Sequence, residues 1–222
     1  MNGIFLKRLA LSAALAGLFA GTLTACVPLV VGGAMAGGSL VATDRRTSGT
    51  QLEDEGIELR AGARIRASVG DNTHVNVTSY NRQVLVTGEA PTEREKQLVD
   101  QIVRGVENVR SVVNEMVIGP VSSLSRRSND VLISGRIKAS ILDSKDLFLN
   151  AFKVVTESGT VYLMGRVTQR EADRATDIAR DIPGVVKVVR VFEVVTEDEL
   201  VRGLPAQSAA PRPALPASAP AN

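Results

Sequence analysis

The chain has 222 residues, with 26 Lys and Arg set against 24 Asp and Glu. So even a balance excludes polyanion binding driven by bulk charge, and two Tyr, five Phe and no Trp leave little aromatic surface for stacking nucleic-acid bases. A single His and a single Cys supply neither a metal-ligand set nor a convincing Ser/His/Asp arrangement, so no nucleic-acid partner, no metal and no enzymatic activity are expected.

Residues 1–25 read as a removable leader. Lys7 and Arg8 make a basic start, and Leu9 to Phe19 is an apolar run broken only by Ser12 and Gly17. That run is too short to span a bilayer and has the flanks of a signal peptide. Leu23-Thr24-Ala25-Cys26 follows and satisfies a bacterial lipobox. It predicts cleavage before Cys26, with a diacylglycerol on the thiol and an acyl chain on the new amino group. Acylation also uses up a cysteine that has no internal disulfide partner in an oxidising compartment. Several acyl chains, at about 0.8 kcal/mol per buried CH2, anchor a protein stably. Val27 stands where Asp favours inner-membrane retention, so the expected location is the outer membrane, facing the periplasm. No cofactor beyond these lipids is expected.

Residues 26–50 are rich in Gly and are expected to form the lipidated tether. Residues 203–222 carry Pro205, Pro211, Pro213, Pro216 and Pro220 among alanines and are expected to be an extended, disordered tail.

Between these ends the same pattern occurs twice. Arg64-Ile65-Arg66-Ala67-Ser68-Val69 matches Arg136-Ile137-Lys138-Ala139-Ser140-Ile141. Val75-Asn76-Val77 is set against Leu149-Asn150-Ala151, and Val84-Leu85-Val86-Thr87-Gly88 against Val161-Tyr162-Leu163-Met164-Gly165. Thr92-Glu93-Arg94-Glu95 matches Thr168-Gln169-Arg170-Glu171, and a Val-rich segment closes each copy. Each copy is predicted as helix, strand, strand, helix, strand. The fold class is therefore α+β: two tandem αββαβ domains, 51–120 and 128–198, each with two helices on a three-stranded mixed sheet.

Apolar positions four apart mark the first helices: Ala61, Ile65 and Val69, then Ile133, Ile137 and Ile141. Glu53, Asp54 and Glu55 read as the acidic start of the first of these. Thr92 and Thr168, each with a Glu three residues on, predict capping boxes for the second helices. Their apolar faces are expected at Leu98 and Ile102, and at Ala175, Ile178 and Ala179. His74 reads as a surface histidine at the start of a strand.

These residues resemble the BON domain family. Its hallmark runs from an apolar-Gly strand through a Thr-x-x-Glu helix to Gly-Val-x-x-Val. Here it stands as Leu163-Met164-Gly165-Arg166-Val167-Thr168-Gln169-Arg170-Glu171 and Pro183-Gly184-Val185-Val186-Lys187-Val188. Copy one departs from it, with Val106-Glu107-Asn108-Val109 where the loop glycine would fall. Two such domains behind a lipobox, with Asp44-Arg45-Arg46-Thr47 ahead of the first, resemble the dual BON-domain outer-membrane lipoproteins. That resemblance implies an outer-membrane integrity factor. It also implies binding of anionic phospholipid through the second domain, localisation to division sites and a link to the outer-membrane protein assembly machinery.

The residues give a separate reason to favour the second domain. With Ile133, Ile137 and Ile141 turned to the core, about 100° per residue places Leu132, Gly135, Ala139 and Leu142 on the opposite side, flanked by Arg136 and Lys138. A helix apolar on both sides, with basic borders, suits insertion among acyl chains with its cations on lipid phosphates. The matched face of copy one, Arg60, Ala63, Ala67 and Gly70 with Arg64 and Arg66, has no large apolar residue. The resemblance implies membrane contact at the Leu132, Lys138 and Leu142 positions, with an aromatic usual at the first; Leu132 lacks that interfacial ring. The alternative expectation is a periplasmic scaffold whose same face, or whose Val-rich last strand, docks a protein.

Overall fold

The computed structural model describes residues 44–70 and 72–203; the leader, Cys26, most of the expected tether and the Pro/Ala tail lie outside the described residues. The first domain opens with α1 (Ser48–Ser68), capped by the Thr47 hydroxyl, which accepts from the Thr50 N–H at 3.2 Å. The tether therefore stops short of residue 50, and Glu53, Asp54 and Glu55 lie inside the helix instead of starting it. An antiparallel hairpin follows, β1 (His74–Tyr80) and β2 (Gln83–Ala90). Its two-residue turn, Asn81-Arg82, has φ of 52° and 63°. Left-handed backbone at both positions makes a turn whose twist matches the strands.

α2 (Glu93–Arg104) starts at the expected Thr92 cap and returns the chain to β3 (Ser111–Asn114), parallel to β2. Glu115 and Met116 then interrupt the edge, and β4 (Val117–Ile118) resumes parallel pairing with β2. The expected third strand of this sheet is thus split in two, and Met116 is driven into the core at the break. The apolar face of α2 is Val99 and Val103, both fully buried, whereas Leu98 is at the exposed margin.

The second domain repeats the plan more regularly. α3 (Leu124–Asp143) is capped by Ser123 and is two turns longer than the apolar spacing alone marks out. A single 3-10 turn, Leu149–Ala151, stands where sequence matching places a strand. β5 (Phe152–Glu157) and β6 (Thr160–Val167) form the hairpin, through Ser158 and Gly159 at φ of 50° and 77°. α4 (Gln169–Arg180) carries the complete predicted capping box between Thr168 and Glu171. β7 (Lys187–Val194) lies parallel to β6 at the sheet edge, and α5 (Glu197–Gly203) ends the described chain.

The structure slides the repeat by one helical turn. Asp54, Ile57, Ala61 and Ile65 are the buried residues of α1, and Asp130, Ile133, Ile137 and Ile141 those of α3. Each Asp binds the turn of its own hairpin: Asp54 accepts from Asn81 and Arg82 N–H, Asp130 from Ser158 and Gly159 N–H, all at 2.7–2.9 Å. Ile65 is therefore the counterpart of Ile141, not of Ile137.

Strand alternation divides each sheet between two cores. Val84 and Val86 of β2, and Val161 and Leu163 of β6, face the helices of their own domain. Leu85, Tyr162 and Met164 point the other way and meet Tyr80 and Val191 in a third apolar cluster. The two sheets thus cover each other's outer faces. This explains why β2 and β6 read as continuous apolar runs rather than alternating ones. Each fully buried Leu, Ile or Val contributes about 1.5–3 kcal/mol, so the shared cluster is a substantial part of the stability.

Candidate functional site

The residues expected to form a membrane face all lie on α3. Leu132, Gly135, Arg136, Lys138, Ala139 and Leu142 are all exposed, while Ile133, Ile137 and Ile141 are buried beneath them. Leu132 is 58% and Leu142 69% accessible. Gly135 has open space over its Cα, so it keeps the middle of the face low. Two further apolar residues extend this face. Leu124 and Val131 are both strongly exposed, and at about 100° per residue they fall in line with Leu142. The stretch before Ile133 hid them, because no periodic apolar pattern reaches back to residue 124. Phe148, in the loop after α3, is also exposed.

The cations of this helix differ from those of α1. Arg136 and Lys138 have no ion pair among the described residues. In α1 the counterpart of Arg136 is Arg60, whose guanidinium bonds Glu53 Oε1 at 2.6 Å. Glu53 corresponds to Asn129, so α3 has no carboxylate to neutralise Arg136. The apolar pair differs as well. Counted from the two hairpin-binding aspartates, Gly56 stands for Leu132 and Arg66 for Leu142. Leu52 and Leu59 are exposed on α1, seven residues apart on one face, at the positions of Ser128 and Gly135. The outer face of α1 therefore does carry large apolar residues, contrary to expectation, but it lacks the leucines of the Leu132 and Leu142 positions, and its arginine at the Arg136 position is paired.

A strap from the segment before α1 holds the two domains together. The Arg45 guanidinium donates to both Glu171 carboxylate oxygens at 2.7 and 2.6 Å and to the Arg166 carbonyl at 2.9 Å. Both partners of this pair are buried. Burial pushes the Glu171 carboxyl up, but bonds from Arg45 and from the Thr168 N–H and hydroxyl prevail and hold it below its ordinary value. Next to it, Arg46 bridges Asp44 and Asp54 and lies 4.3 Å over the Tyr80 ring. Burial pushes the Tyr80 phenol up to about 12. Asn81 and Arg110 of the first domain also donate to Glu193 of β7, at 2.6 and 3.1 Å.

His74 is not an isolated surface residue. It is half-buried against Glu89 and Glu157 at the margin of the shared cluster. No helix of the described residues is long and apolar enough to cross a membrane.

Two domains of one αββαβ plan, stacked sheet to sheet, define a tandem module with an exposed apolar face, bordered by unpaired cations, on α3. A BON domain model matches residues 53–120 and again 129–196, and the chain belongs to the BON domain family. It is 37% identical to the outer membrane lipoprotein DolP of Haemophilus influenzae, over 77% of this chain and 89% of that protein. Similarity extends to a 21 kDa hemolysin of Actinobacillus pleuropneumoniae, 33% identical over 68% of this chain and 79% of that one. Osmotically-inducible protein Y of Escherichia coli is 26% identical over 68% of this chain and 77% of its own length. The matched family is not a catalytic one, and the similarity supports an outer-membrane lipoprotein of the cell envelope.

Proposed function

We propose that this protein is a lipoprotein acylated at Cys26, anchored in the outer membrane and facing the periplasm, whose second BON domain binds anionic phospholipid through α3. The observation that carries the reading is the pairing of an exposed apolar face, Leu124, Val131, Leu132 and Leu142, with uncompensated cations at Arg136 and Lys138. Apolar side chains enter the acyl boundary while the flanking cations meet lipid phosphates. The acyl anchor holds this face near the inner leaflet of the outer membrane, where a high effective concentration makes even a weak site count. Support of envelope integrity, with enrichment at division sites, follows from such a lipid-reading surface. Similarity to an outer membrane lipoprotein favours the same location.

The test uses residues 44–222, which lack the acylated cysteine, and vesicles containing phosphatidylglycerol. The expected result is binding that the double substitution L132E/L142E abolishes while the circular-dichroism spectrum is kept. Undiminished binding by that variant rejects the face. A second reading is favoured by β7, a sheet-edge strand of eight residues with no neighbour on its outer side among the described strands. Such an edge suits strand addition by a protein partner, as a scaffold touching the outer-membrane protein assembly machinery would require. A single protein adduct in place of lipid adducts, when a photocrosslinker is put at position 132, decides for that reading.

A further inference from the structure

A second cluster of ligating groups lies where the two sheets meet. His74 opens β1, Glu89 lies opposite it in β2, and Glu157 ends β5 of the other domain. His74 Nδ1 is 3.1 Å from Glu89 Oε2 and 3.9 Å from Glu157 Oε1, and one ligand atom from each of the three lies within 4.8 Å of the others. The Glu89 and Glu157 side chains are only 5% and 8% exposed.

Few protein donors reach these two carboxylates. The nearest donor to Glu157 Oε2 is the Thr87 hydroxyl at 3.5 Å, and Oε1 faces only the imidazole. Glu89 Oε2 has the imidazole and the Ser122 hydroxyl at 3.4 Å. No Lys or Arg ion-pairs with either glutamate among the described residues, although Arg127 and Lys138 line the same cavity. Carboxylates this close are stabilised by a positive charge between them, which an imidazolium or a bound cation supplies.

We propose that His74, Glu89 and Glu157 bind one divalent transition-metal cation, for which zinc is the best fit. One imidazole nitrogen and two carboxylate oxygens match zinc chemistry. Four-coordinate zinc with bonds of 2.0–2.1 Å holds its ligands about 3.3 Å apart, and the two separations at His74 bracket that value. His74 and Glu157 line a cavity of about 450 Å³, roomy enough for a water as fourth ligand. Two ligands come from the first domain and one from the second, so the ion cross-braces them. The cavity wall also includes Val131, Gly135 and Lys138 of α3, so the site opens beside the outward face of that helix.

Purified full-length protein equilibrated with zinc and dialysed against metal-free buffer is expected to retain about one equivalent by elemental analysis. H74N and E157Q, each checked for native circular dichroism, should weaken retention by at least about tenfold. Cobalt(II) added to the unaltered protein should give visible ligand-field absorption, which needs no variant to interpret and which H74N removes. Absence of both zinc retention and a cobalt spectrum in the unaltered protein overturns the site and assigns the positive charge between the carboxylates to the imidazolium. Equal retention by H74N and E157Q overturns it too, because the metal then sits elsewhere.

Discussion

Single side chains fix the geometry of each domain. Asp130 accepts the Ser158 and Gly159 N–H groups at 2.9 Å each and is buried, so it welds α3 to its hairpin. D130A leaves the buried Gly159 N–H and the part-buried Ser158 N–H without their acceptor and is expected to cost about 1–3 kcal/mol, read as a lower urea midpoint at unchanged slope. Gly88 has φ of 119°, and a Cβ there would lie 2.0 Å from the His74 carbonyl oxygen. Backbone cannot yield as a flexible side chain can, so G88A should be among the most destabilising changes, at roughly 3 kcal/mol or more by thermal or urea unfolding. Glu171 gives a pH signature. Its folded value lies below the ordinary 4.5, so its stabilisation is complete above that pH and is lost only as pH falls through the lower folded value. R45M strands the buried carboxylate and should cost about 3–5 kcal/mol near neutrality. The variant's deficit should shrink as acid protonates Glu171. Melting curves of both proteins between pH 7 and 4 check this; a deficit independent of pH would contradict the ion pair.

At the scale of elements, the outward face of α3 differs from that of α1 at the positions the lipid reading uses: Leu132 against Gly56, Leu142 against Arg66, and an unpaired Arg136 against an Arg60 tied to Glu53. If those positions decide lipid contact, G56L/R66L introduced into the L132E/L142E protein should recover part of the vesicle binding, measured by co-sedimentation. The same helices show what the sequence reveals and what it conceals. The two-fold repeat, the helix caps at Thr92 and Thr168 and the inward isoleucines of α3 are legible because each is a local pattern. The register between the repeats is not. A slide of four residues turns a helix by only about 40°, so Arg64-Ile65-Arg66-Ala67-Ser68 lies as well on Arg136-Ile137-Lys138-Ala139-Ser140 as the true pairing does. Only the buried aspartates, each held by a hairpin turn distant in sequence, break the tie. The split of β3 from β4 is hidden for a related reason, since Val112, Val113, Met116 and Val117 are apolar on either side of the break.

The whole molecule is organised by a core that neither domain owns. Tyr80 and Leu85 of the first domain pack with Tyr162, Met164 and Val191 of the second. Composition and periodicity mark these residues as buried but not by what, so His74, Glu89 and Glu157 lie too far apart in sequence to be read as one cluster. L85A should therefore lower the stability of both domains, by about 2–5 kcal/mol. Hydrogen exchange in the two sheets should accelerate together; acceleration confined to the first domain would mean the sheets open independently. The Arg45 strap has a mechanical consequence. Tension that enters the chain ahead of Asp44 meets Arg45 before it reaches α1, and Arg45 is fastened to the helix cap of the second domain. A force applied there is thereby shared between both domains from its first increment, so it moves the pair as one body instead of peeling the first domain from the second.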